Sequence, residues 1–387
     1  MNGCPDRNRL RIAMVIDAYD DSINGAVIST KRFVELLQRE HDVTIITTGD
    51  PAPGKVLLPK FYAPLFIHIM KRMHVPLGIP VNRILKNTIR EMDIIHIQFP
   101  FYLSVRAITI AKKYHVPVVA TFHIQAEHLA MNAGIKSKKF IRNCYRFWMK
   151  NIYNPSDLVI CPSKFAEDEL RHFGLKTSSV IISNGILPIF RPIDVSRDGS
   201  LKDKFVILSV GRFAPEKRQN MIIEAIRDSK HRNKIQLMLI GEGPMKEKLQ
   251  EEGKFLPNPP IFMTLSPEEL PYYYNTADLY VHAAQVEVEC MTVLEAIGCG
   301  LPTLIANCPK SATRQFALDD RYLFESENPS GLMNKIDYWI EHPDELKEAK
   351  VMVHEESHKY RIENSYEKLI SQYMKLVKET TMASSIR

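Results

Sequence analysis

Short apolar runs alternate with longer amphipathic segments along the whole 387-residue chain. The runs are rich in Val and Ile, which is typical of strands buried on both faces of a sheet. The segments between them repeat apolar residues every three or four positions, as amphipathic helices do. This alternation predicts an α/β protein with parallel sheets covered on both faces. The predicted strands are RIAMVID, DVTIITT, DIIHIQF, PVVATFH, DLVICPS, SVIISNG, FVILSVG, IQLMLIG, DLYVHAA and PTLIAN.

A polar stretch interrupts this alternation near the middle of the chain. Residues 186–203 are rich in Pro, Asp and Ser, which predicts a linker, and the strand FVILSVG follows directly. We therefore expect two doubly wound, parallel-sheet domains, an N-terminal one over residues 1–187 and a C-terminal one over residues 188–365. Such sheets bind ligands at the carboxyl ends of their strands, so two of them facing each other would enclose an interdomain cleft.

Composition and charge narrow the class of protein. No apolar run approaches the ~18 residues of a membrane-spanning helix, and the N-terminus has no signal-peptide pattern, which together favour a cytoplasmic location. The net charge of +6 is uneven, because residues 51–150 carry 16 Lys and Arg against three acids. That window is +13 and the remainder is −7. A strongly basic region predicts an anionic partner, either lipid or nucleic acid, unless it is only a solvated face.

Three glutamates stand in the mostly apolar stretch QVEVECMTVLEAIGCG. An ionised carboxylate in apolar surroundings needs a partner, and we expect Glu287 and Glu295 to meet the hydroxyls of a ligand rather than a buried cation. The spacing places Glu295 about one turn inside a helix that begins near Cys290 or Met291. Backbone amides from there to Thr292 would then be available to a phosphate.

Three other turns carry candidate phosphate-binding groups. Gly25 lies between a strand and a helix, where backbone amides can approach a phosphate closely. Arg212 and Lys217 follow the strand that ends at Gly211, and the two cations could clamp a diphosphate. Gly241 begins the turn after the next strand. Taken singly, each feature is equally compatible with an ordinary turn or an exposed basic loop.

The order of these segments resembles the family 4 glycosyltransferases, which are retaining enzymes with the GT-B fold. Their hallmark is a pair of glutamates separated by seven residues, and Glu287 and Glu295 have this spacing. The accompanying segments are NGAV, DIIHIQ, VVATFH, VICPS, ISNGI, VGRFAPEKR, IGEGP, EELPYYYNTADLYVHAA and LEAIGCGLPTLIA. The resemblance runs from about residue 10 to about residue 375. It implies a helix within residues 366–387 that crosses back to the N-terminal domain.

The resemblance also implies a role for each matching residue. Arg212 and Lys217 would hold the donor diphosphate and stabilise the leaving nucleotide, since negative charge develops there. Glu287 would bind the donor sugar, and Glu295 would bind the ribose hydroxyls. The implied donor-binding set is Gly25, Arg212, Lys217, Gly241, Glu287, Cys290, Met291, Thr292 and Glu295.

Three further positions follow from the same resemblance. His123 would help to orient donor or acceptor, so the implied catalytic residues are His123, Glu287, Arg212 and Lys217. A structural histidine at a strand end is the alternative for His123. Asn184 and Gly185 would shape the site near the hinge.

The resemblance implies retention of the anomeric configuration without a metal ion or other cofactor, the UDP-sugar being a co-substrate. The pair Asp319 and Asp320 is expected to be a turn and not a metal site. Glu289 departs from the family pattern, which commonly has a Gly-Phe-Gly-like stretch after the first glutamate. We therefore expect Glu289 to bear on the choice of substrate.

The basic N-terminal half indicates the acceptor. Residues 137–153 repeat cations every four positions beside aromatic residues, as helices that bind anionic membranes do. Residues 61–87 also mix large apolar residues with cations. The alternative is that the aromatic residues are core and the cations simply solvated. The residues expected to meet the membrane or acceptor are Lys71, Arg72, Lys138, Lys139, Arg142, Arg146 and Trp148.

The segments NGAV and FHIQAEH further resemble the lipid-directed branch of the family. We therefore expect a peripheral enzyme on the inner face of the cell membrane, with no nucleic-acid partner. It would move glucose or galactose from a UDP-sugar to diacylglycerol or ceramide and form an α-glycolipid. One alternative is a transferase that extends a polysaccharide or lipopolysaccharide sugar. The other is a non-catalytic basic protein that binds nucleic acid, which would leave the donor-site pattern unexplained.

Overall fold

The computed structural model of the protein describes residues 9–20, 24–62, 76–197 and 199–385. The chain divides into two compact units. The first unit runs to Ile182 and includes the chain from Tyr366 onward, and the second is Ser183–Ser365. Each unit is built on a parallel sheet with helices in the connections, as the alternating sequence pattern predicts.

The first unit contains seven parallel strands and one short antiparallel pair among its described residues. The strands are β1 (Arg11–Val15), β2 (Asp42–Thr47), β3 (Lys55–Leu57), β4 (Lys60–Phe61), β5 (Leu77–Gly78), β6 (Ile94–Ile97), β7 (Val118–Thr121), β8 (Leu158–Cys161) and β9 (Ser179–Ile181). The sheet order is β3-β2-β1-β6-β7-β8-β9, and β4 pairs with β5. Every residue of β6, β7 and β8 is buried, which explains their continuous apolar sequences.

Helices connect these strands. They are α1 (Gly25–Leu37), α2 (Asn82–Ile89), α3 (Tyr102–Lys113), α4 (Ala126–Asn132), α5 (Lys138–Trp148) and α6 (Lys164–His172). Side chains cap three of them: Asn24 accepts from the Ala26 amide at α1, Ser137 caps α5 and Ser163 caps α6. These caps satisfy amide groups that the first turn of a helix leaves without a partner.

The second unit has six parallel strands among its described residues, in the order β12-β11-β10-β13-β14-β15. Numbered along the chain, the strands are β10 (Phe205–Val210), β11 (Ile235–Ile240), β12 (Ile261–Met263), β13 (Leu279–His282), β14 (Thr303–Asn307) and β15 (Leu323–Glu325). The connecting helices are α7 (Gln219–Asp228), α8 (Lys246–Gly253), α9 (Leu270–Thr276), α10 (Met291–Gly298), α11 (Pro329–Glu341) and α12 (Pro343–Ser357).

The last helix, α13 (Ile362–Ser385), begins in the second unit and continues in the first. Its first residues lie in the second unit, and Tyr366 onward lies in the first. Leu369 and Tyr373 are buried in the core of the first unit. The Tyr373 hydroxyl lies 2.6 Å from Nδ1 of His96 on β6, which fixes the helix against the sheet of that unit.

The boundary between the units lies earlier than residues 187 and 188, where the sequence places it. The backbone amide of Asn184 donates to Oε2 of Glu289 over 2.8 Å, and Ile186 forms a parallel bridge with Arg361. Ser183 and the residues after it therefore belong to the second unit, because their hydrogen bonds are made there.

The linker predicted over residues 186–203 is anchored on the second unit at several points. Phe190 is only 3% exposed and lies in the core of the second unit. Arg197 forms an ion pair with Asp278 at 2.6 Å. The stretch is polar in composition, but Phe190 and Arg197 anchor it on the second unit.

Candidate functional site

Two glycine turns pack against each other at the carboxyl ends of β10 and β11. Gly211 has φ 148° and Gly241 has φ 143°. A Cβ atom on Gly241 would lie 2.1 Å from the carbonyl oxygen of Gly211, so a larger residue cannot replace it without moving the backbone. This close contact fixes the start of the loop that carries Arg212 and Lys217.

Lys217 and Glu287 form an ion pair at this end of the sheet. Nζ of Lys217 donates to Oε1 of Glu287, and Nε2 of His282 lies 3.4 Å from the same oxygen. Burial disfavours the charge on Glu287, but Lys217 and His282 outweigh it and lower the pKa of Glu287 to about 2. Burial likewise opposes the charge on Lys217, yet Glu287 raises its pKa. Both groups are therefore charged at neutral pH.

This ion pair corrects one expectation from the sequence. Glu287 was expected to lack a buried cation, and Lys217 supplies one. The two residues remain together at the carboxyl end of the sheet, where parallel α/β proteins bind ligands. They present a fixed ammonium group and a fixed carboxylate side by side.

His282 and Cys290 extend the cluster. Sγ of Cys290 lies 3.8 Å from Nδ1 of His282, and Cys290 has φ 95°, an unusual value for a residue other than glycine. Burial alone would lower the pKa of His282, but Cys290 and Glu287 raise it to about 9. Ligand-type atoms of His282, Glu287 and Cys290 lie within 4.8 Å of one another, close enough to hold a metal ion. In the structure, Glu287 pairs with the ammonium group of Lys217.

Arg212 is held by an acid that the sequence analysis did not identify. Its Nη2 lies 2.8 Å from Oε1 of Glu216, whose side chain is fully buried. The Gln219 side chain donates to the backbone carbonyl of Arg212 over 3.1 Å. A buried carboxylate four residues along the same loop orients the guanidinium group. The spacing of Arg212 and Glu216 in GRFAPEKR could have indicated this pair.

Glu295 lies inside α10, which begins at Met291, as the sequence predicts. The side chain is only 3% exposed and accepts a hydrogen bond from the Tyr274 hydroxyl over 3.1 Å. The Tyr280 hydroxyl lies 2.8 Å from Oγ1 of Thr292. Neither tyrosine was singled out from the sequence, although both stand in the segment EELPYYYNTADLYVHAA. Their hydroxyl groups hold the Glu295 and Thr292 side chains by hydrogen bonds.

Glu289, which departs from the family pattern, has partners at the start of the second unit. Its side chain is fully buried, and Oε2 accepts from both the backbone amide and the side-chain amide of Asn184, over 2.8 and 2.7 Å. Burial raises the pKa of Glu289 to about 7, although the bonds from Ser183 and Asn184 oppose this rise. These bonds give Glu289 a structural role, and its bearing on substrate choice stays a prediction. It anchors the first residues of the second unit, including the turn at Gly185.

The remaining candidates, Gly25 and His123, belong to the first unit. Gly25 is exposed and is the first residue of α1. His123 follows β7 and is partly exposed, with Nε2 lying 2.9 Å from the Oε1 position of Gln98. Burial lowers the pKa of His123 to about 4, so the imidazole is neutral at physiological pH. Gln98 was not identified from the sequence.

The basic helix predicted near residue 140 is α5, and four of its cations point to solvent. Trp148 does not belong to this face, which corrects the sequence-based set. Trp148 is only 3% exposed and packs edge-on against Tyr145, with ring centroids 5.3 Å apart. They are three positions apart along the helix, so both face the core. The exposed cations are Lys138, Lys139, Arg142 and Arg146.

Lys71 and Arg72 lie outside the described residues. Among the helices that the structure describes, none combines the length and the apolar character needed to cross a membrane.

Two protein-family models match the chain, one in each half. The model described as "Glycosyltransferase Family 4" matches residues 23–188, and the model described as "Glycosyl transferases group 1" matches residues 191–359. The second match contains the cluster around Lys217 and Glu287.

Two curated relatives are each 27% identical to the chain. One is an alpha-monoglucosyldiacylglycerol synthase from Streptococcus pneumoniae, aligned over 78% of this chain and 72% of the relative. The other is a GDP-mannose-dependent alpha-mannosyltransferase from Corynebacterium glutamicum, aligned over 76% of this chain and 72% of the relative. Both are glycosyltransferases by name.

The crystal structure of Anabaena HepE in complex with UDP-glucose has the same fold, with a TM-score of 0.75 over 95% of this chain and 100% of that chain, at 15% identity. The two family models, the parallel sheets and this structural similarity agree with one another. The chain therefore belongs to the family 4 glycosyltransferases and has the GT-B fold.

Proposed function

We propose that this glycosyltransferase moves glucose or galactose from a UDP-sugar to a hydroxyl group of a membrane lipid, diacylglycerol or ceramide. Two relatives named alpha-monoglucosyldiacylglycerol synthase, from Streptococcus pneumoniae and Acholeplasma laidlawii, support a lipid acceptor. The enzyme retains the anomeric configuration, needs no metal ion and works at the inner face of the cell membrane.

The donor half of the proposal rests on the cations after β10. Arg212 and Lys217 are each held by a carboxylate, Glu216 and Glu287. Fixed cations stabilise the charge that develops on a departing diphosphate, and they need no rearrangement during the reaction. The amide groups at the start of α10 add a partial positive charge to the same end of the sheet.

The chemical step follows from these groups. The bond between the anomeric carbon and the diphosphate oxygen breaks, and the acceptor oxygen bonds to the same face of that carbon. The acceptor proton passes to the leaving phosphate oxygen, so no protein nucleophile takes part. Arg212 and Lys217 carry the developing negative charge, and Glu287 holds the sugar beside them.

The observation that carries the lipid part of the proposal is the exposed face of α5. Its cations Lys138, Lys139, Arg142 and Arg146 are exposed, and Phe147 beside them is 43% exposed. Each Lys or Arg near an anionic membrane contributes about 1 kcal/mol to the binding free energy. A row of such cations beside an exposed aromatic side chain is typical of a helix that lies on a membrane.

A second donor is favoured by one specific observation. Three relatives are named GDP-mannose-dependent alpha-mannosyltransferase, and one of them is as similar to this chain as the synthase from Streptococcus pneumoniae. The second candidate is therefore transfer of mannose from GDP-mannose by the same site.

A matrix of donors and acceptors tests the proposal. UDP-glucose, UDP-galactose and GDP-mannose are each combined with vesicles containing diacylglycerol or ceramide and with soluble oligosaccharides, and nucleotide release is measured. We expect release with a UDP-sugar and lipid that exceeds the donor-only rate. Release confined to GDP-mannose would establish the second candidate, and release confined to oligosaccharides would exclude the lipid acceptor.

A further inference from the structure

The side-chain amide of Gln98 lies in a small polar cluster of the first unit, between Thr30 on α1 and His123, two residues after β7. The Oε1 position of Gln98 is 2.9 Å from Nε2 of His123 and 3.2 Å from Oγ1 of Thr30. Gln98 and Thr30 are buried, with exposures of 2% and 1%. The amide can adopt two orientations that differ by a half-turn, and the hydrogen bonds decide between them.

The hydroxyl group of Thr30 constrains the choice. It lies 2.7 Å from the carbonyl oxygen of Ala26, one helical turn earlier, which is the shorter of its two contacts. A hydroxyl group has one hydrogen, so Thr30 donates it to Ala26. Oγ1 of Thr30 can then only accept from Gln98.

The amide oxygen is a poor occupant of the position between Thr30 and His123. It would face the Thr30 oxygen, acceptor against acceptor, and the amide nitrogen would be buried with no partner among the described residues. With the nitrogen in that position, its two hydrogens reach Oγ1 of Thr30 and Nε2 of His123. The amide oxygen then lacks a hydrogen-bond partner. This costs less free energy than a buried N–H group without a partner.

We infer that Gln98 is a positioning residue that holds His123 in the tautomer with its proton on Nδ1. Because the Gln98 amide nitrogen donates to Nε2 of His123, Nε2 is an acceptor. The neutral ring therefore carries its hydrogen on Nδ1. Nδ1 has no hydrogen-bond partner among the described residues, and the ring is partly exposed.

This assignment limits what His123 does in the reaction. An imidazole with a proton on Nδ1 donates a hydrogen bond to an oxygen of the bound ligand, a sugar hydroxyl or a phosphate oxygen. It does not accept the acceptor proton through that nitrogen. The consequence for transfer rests on the role proposed for His123, whereas the tautomer itself can be measured without any substrate.

The test is a nitrogen-15 NMR spectrum of the full chain with labelled histidine, in which long-range couplings distinguish protonated from bare ring nitrogens. The chain has 13 histidines, and His123→Gln identifies the signals of His123 by their loss. We expect Nδ1 to be protonated and Nε2 to be bare at pH 7.5. The opposite tautomer in the native chain would overturn the inference.

Variants of the cluster sharpen the result. Gln98→Glu replaces the donating nitrogen by a carboxylate oxygen, so Nε2 of His123 should become protonated and kcat should fall about 10-fold with little change in KM for the donor. An unchanged tautomer in Gln98→Glu would contradict the inference. Thr30→Ser keeps the hydroxyl group and should keep the native spectrum, whereas Thr30→Val removes it and should give both tautomers. A pure Nδ1–H spectrum in Thr30→Val would exclude Thr30 as the anchor.

Discussion

Lys217 and Glu287 are 70 residues apart in the sequence and share one hydrogen bond. Their side chains are only 19% and 13% exposed, so each charge depends on the other. Removal of one partner leaves a poorly solvated charge, which costs more than the pair itself contributes. The pair therefore stabilises the fold only while both members are present, and the role proposed for both residues in transfer is a separate effect.

A double-mutant cycle separates these two effects. Lys217→Met and Glu287→Gln should each lower the free energy of unfolding by about 3 kcal/mol, because each leaves the other charge unpaired. The double variant should recover most of that loss. All three variants should lose at least about 100-fold in kcat. Urea unfolding and nucleotide-release assays measure both quantities, and full additivity of the two stability losses would contradict the pairing.

The raised pKa of Glu289 predicts how the stability of the fold depends on pH. Burial raises its pKa to about 7 from the ordinary glutamate value of 4.5, so the folded chain holds this proton more tightly than the unfolded chain. Its contribution to stability is therefore fully present below about pH 4.5 and is lost as the pH rises through about 7. Glu289→Gln keeps an acceptor for Asn184 but cannot ionise.

The stability of Glu289→Gln relative to the native chain should rise by up to roughly 3 kcal/mol between pH 5 and pH 8. Urea unfolding at both pH values measures this change. Glu289→Ala is the control, since it should be less stable than the Gln variant at both pH values through loss of the bond to Asn184. A difference between the native chain and Glu289→Gln that stays constant with pH would refute the raised pKa.

At the scale of single residues, the sequence predicted which residues lie at the site better than it predicted which residues they contact. The spacing of Glu287 and Glu295 placed α10 correctly. It could not show that Lys217 reaches Glu287, because that contact depends on how β10 and β13 lie side by side in the sheet. The carboxylate of Glu289 could bind a ligand by its chemistry, and only the structure shows that it is buried and bonded to Asn184.

At the scale of elements, α5 separates two kinds of residue that its sequence mixes. Tyr145 and Trp148 pack inward, and the ring of Tyr145 stacks on Phe173 with centroids 3.7 Å apart. The cations and Phe147 face solvent. The sequence predicted the helix and its cations, but it assigned Trp148 to the wrong face because aromatic character alone does not distinguish core from membrane contact.

The outward face of α5 should control binding to anionic vesicles. Arg142→Glu/Arg146→Glu reverses two exposed charges and should weaken binding at least 10-fold in flotation with vesicles that contain anionic lipid. Binding of the native chain should also fall as salt is raised, through screening. Lys202→Glu/Lys347→Glu is the matched control, with the same change in net charge at two exposed positions of the second unit. Equal loss in both double variants would show that only net charge matters.

The segment before β10 shows a second limit of element-level prediction. Its Pro, Asp and Ser content is typical of a linker, but Ile186 and Phe190 are buried. Composition averages over a window, whereas a few apolar side chains are enough to anchor an extended chain on a core. The predicted boundary was therefore too late in the sequence.

At the scale of the whole molecule, the alternation of strands and helices was sufficient for the fold class. Each unit is a parallel sheet whose central strands are buried throughout, and parallel sheets impose a continuous apolar pattern that is easy to recognise. The short edge strands β3, β12 and β15 were missed, because three residues carry too little pattern to distinguish a strand from a turn.

We propose that the enzyme forms an α-linked lipid glycoside from a UDP-sugar without a metal ion. The most direct measurement is the structure of the product made by the purified chain from carbon-13 labelled UDP-glucose or UDP-galactose and diacylglycerol or ceramide vesicles, with EDTA present and Glu287→Gln as the inactive control. We predict a lipid that has gained one labelled hexose, with a small three-bond coupling between H1 and H2 of the sugar that marks the α configuration. A β-linked product, or label recovered only in free sugar or soluble glycan, would contradict the account.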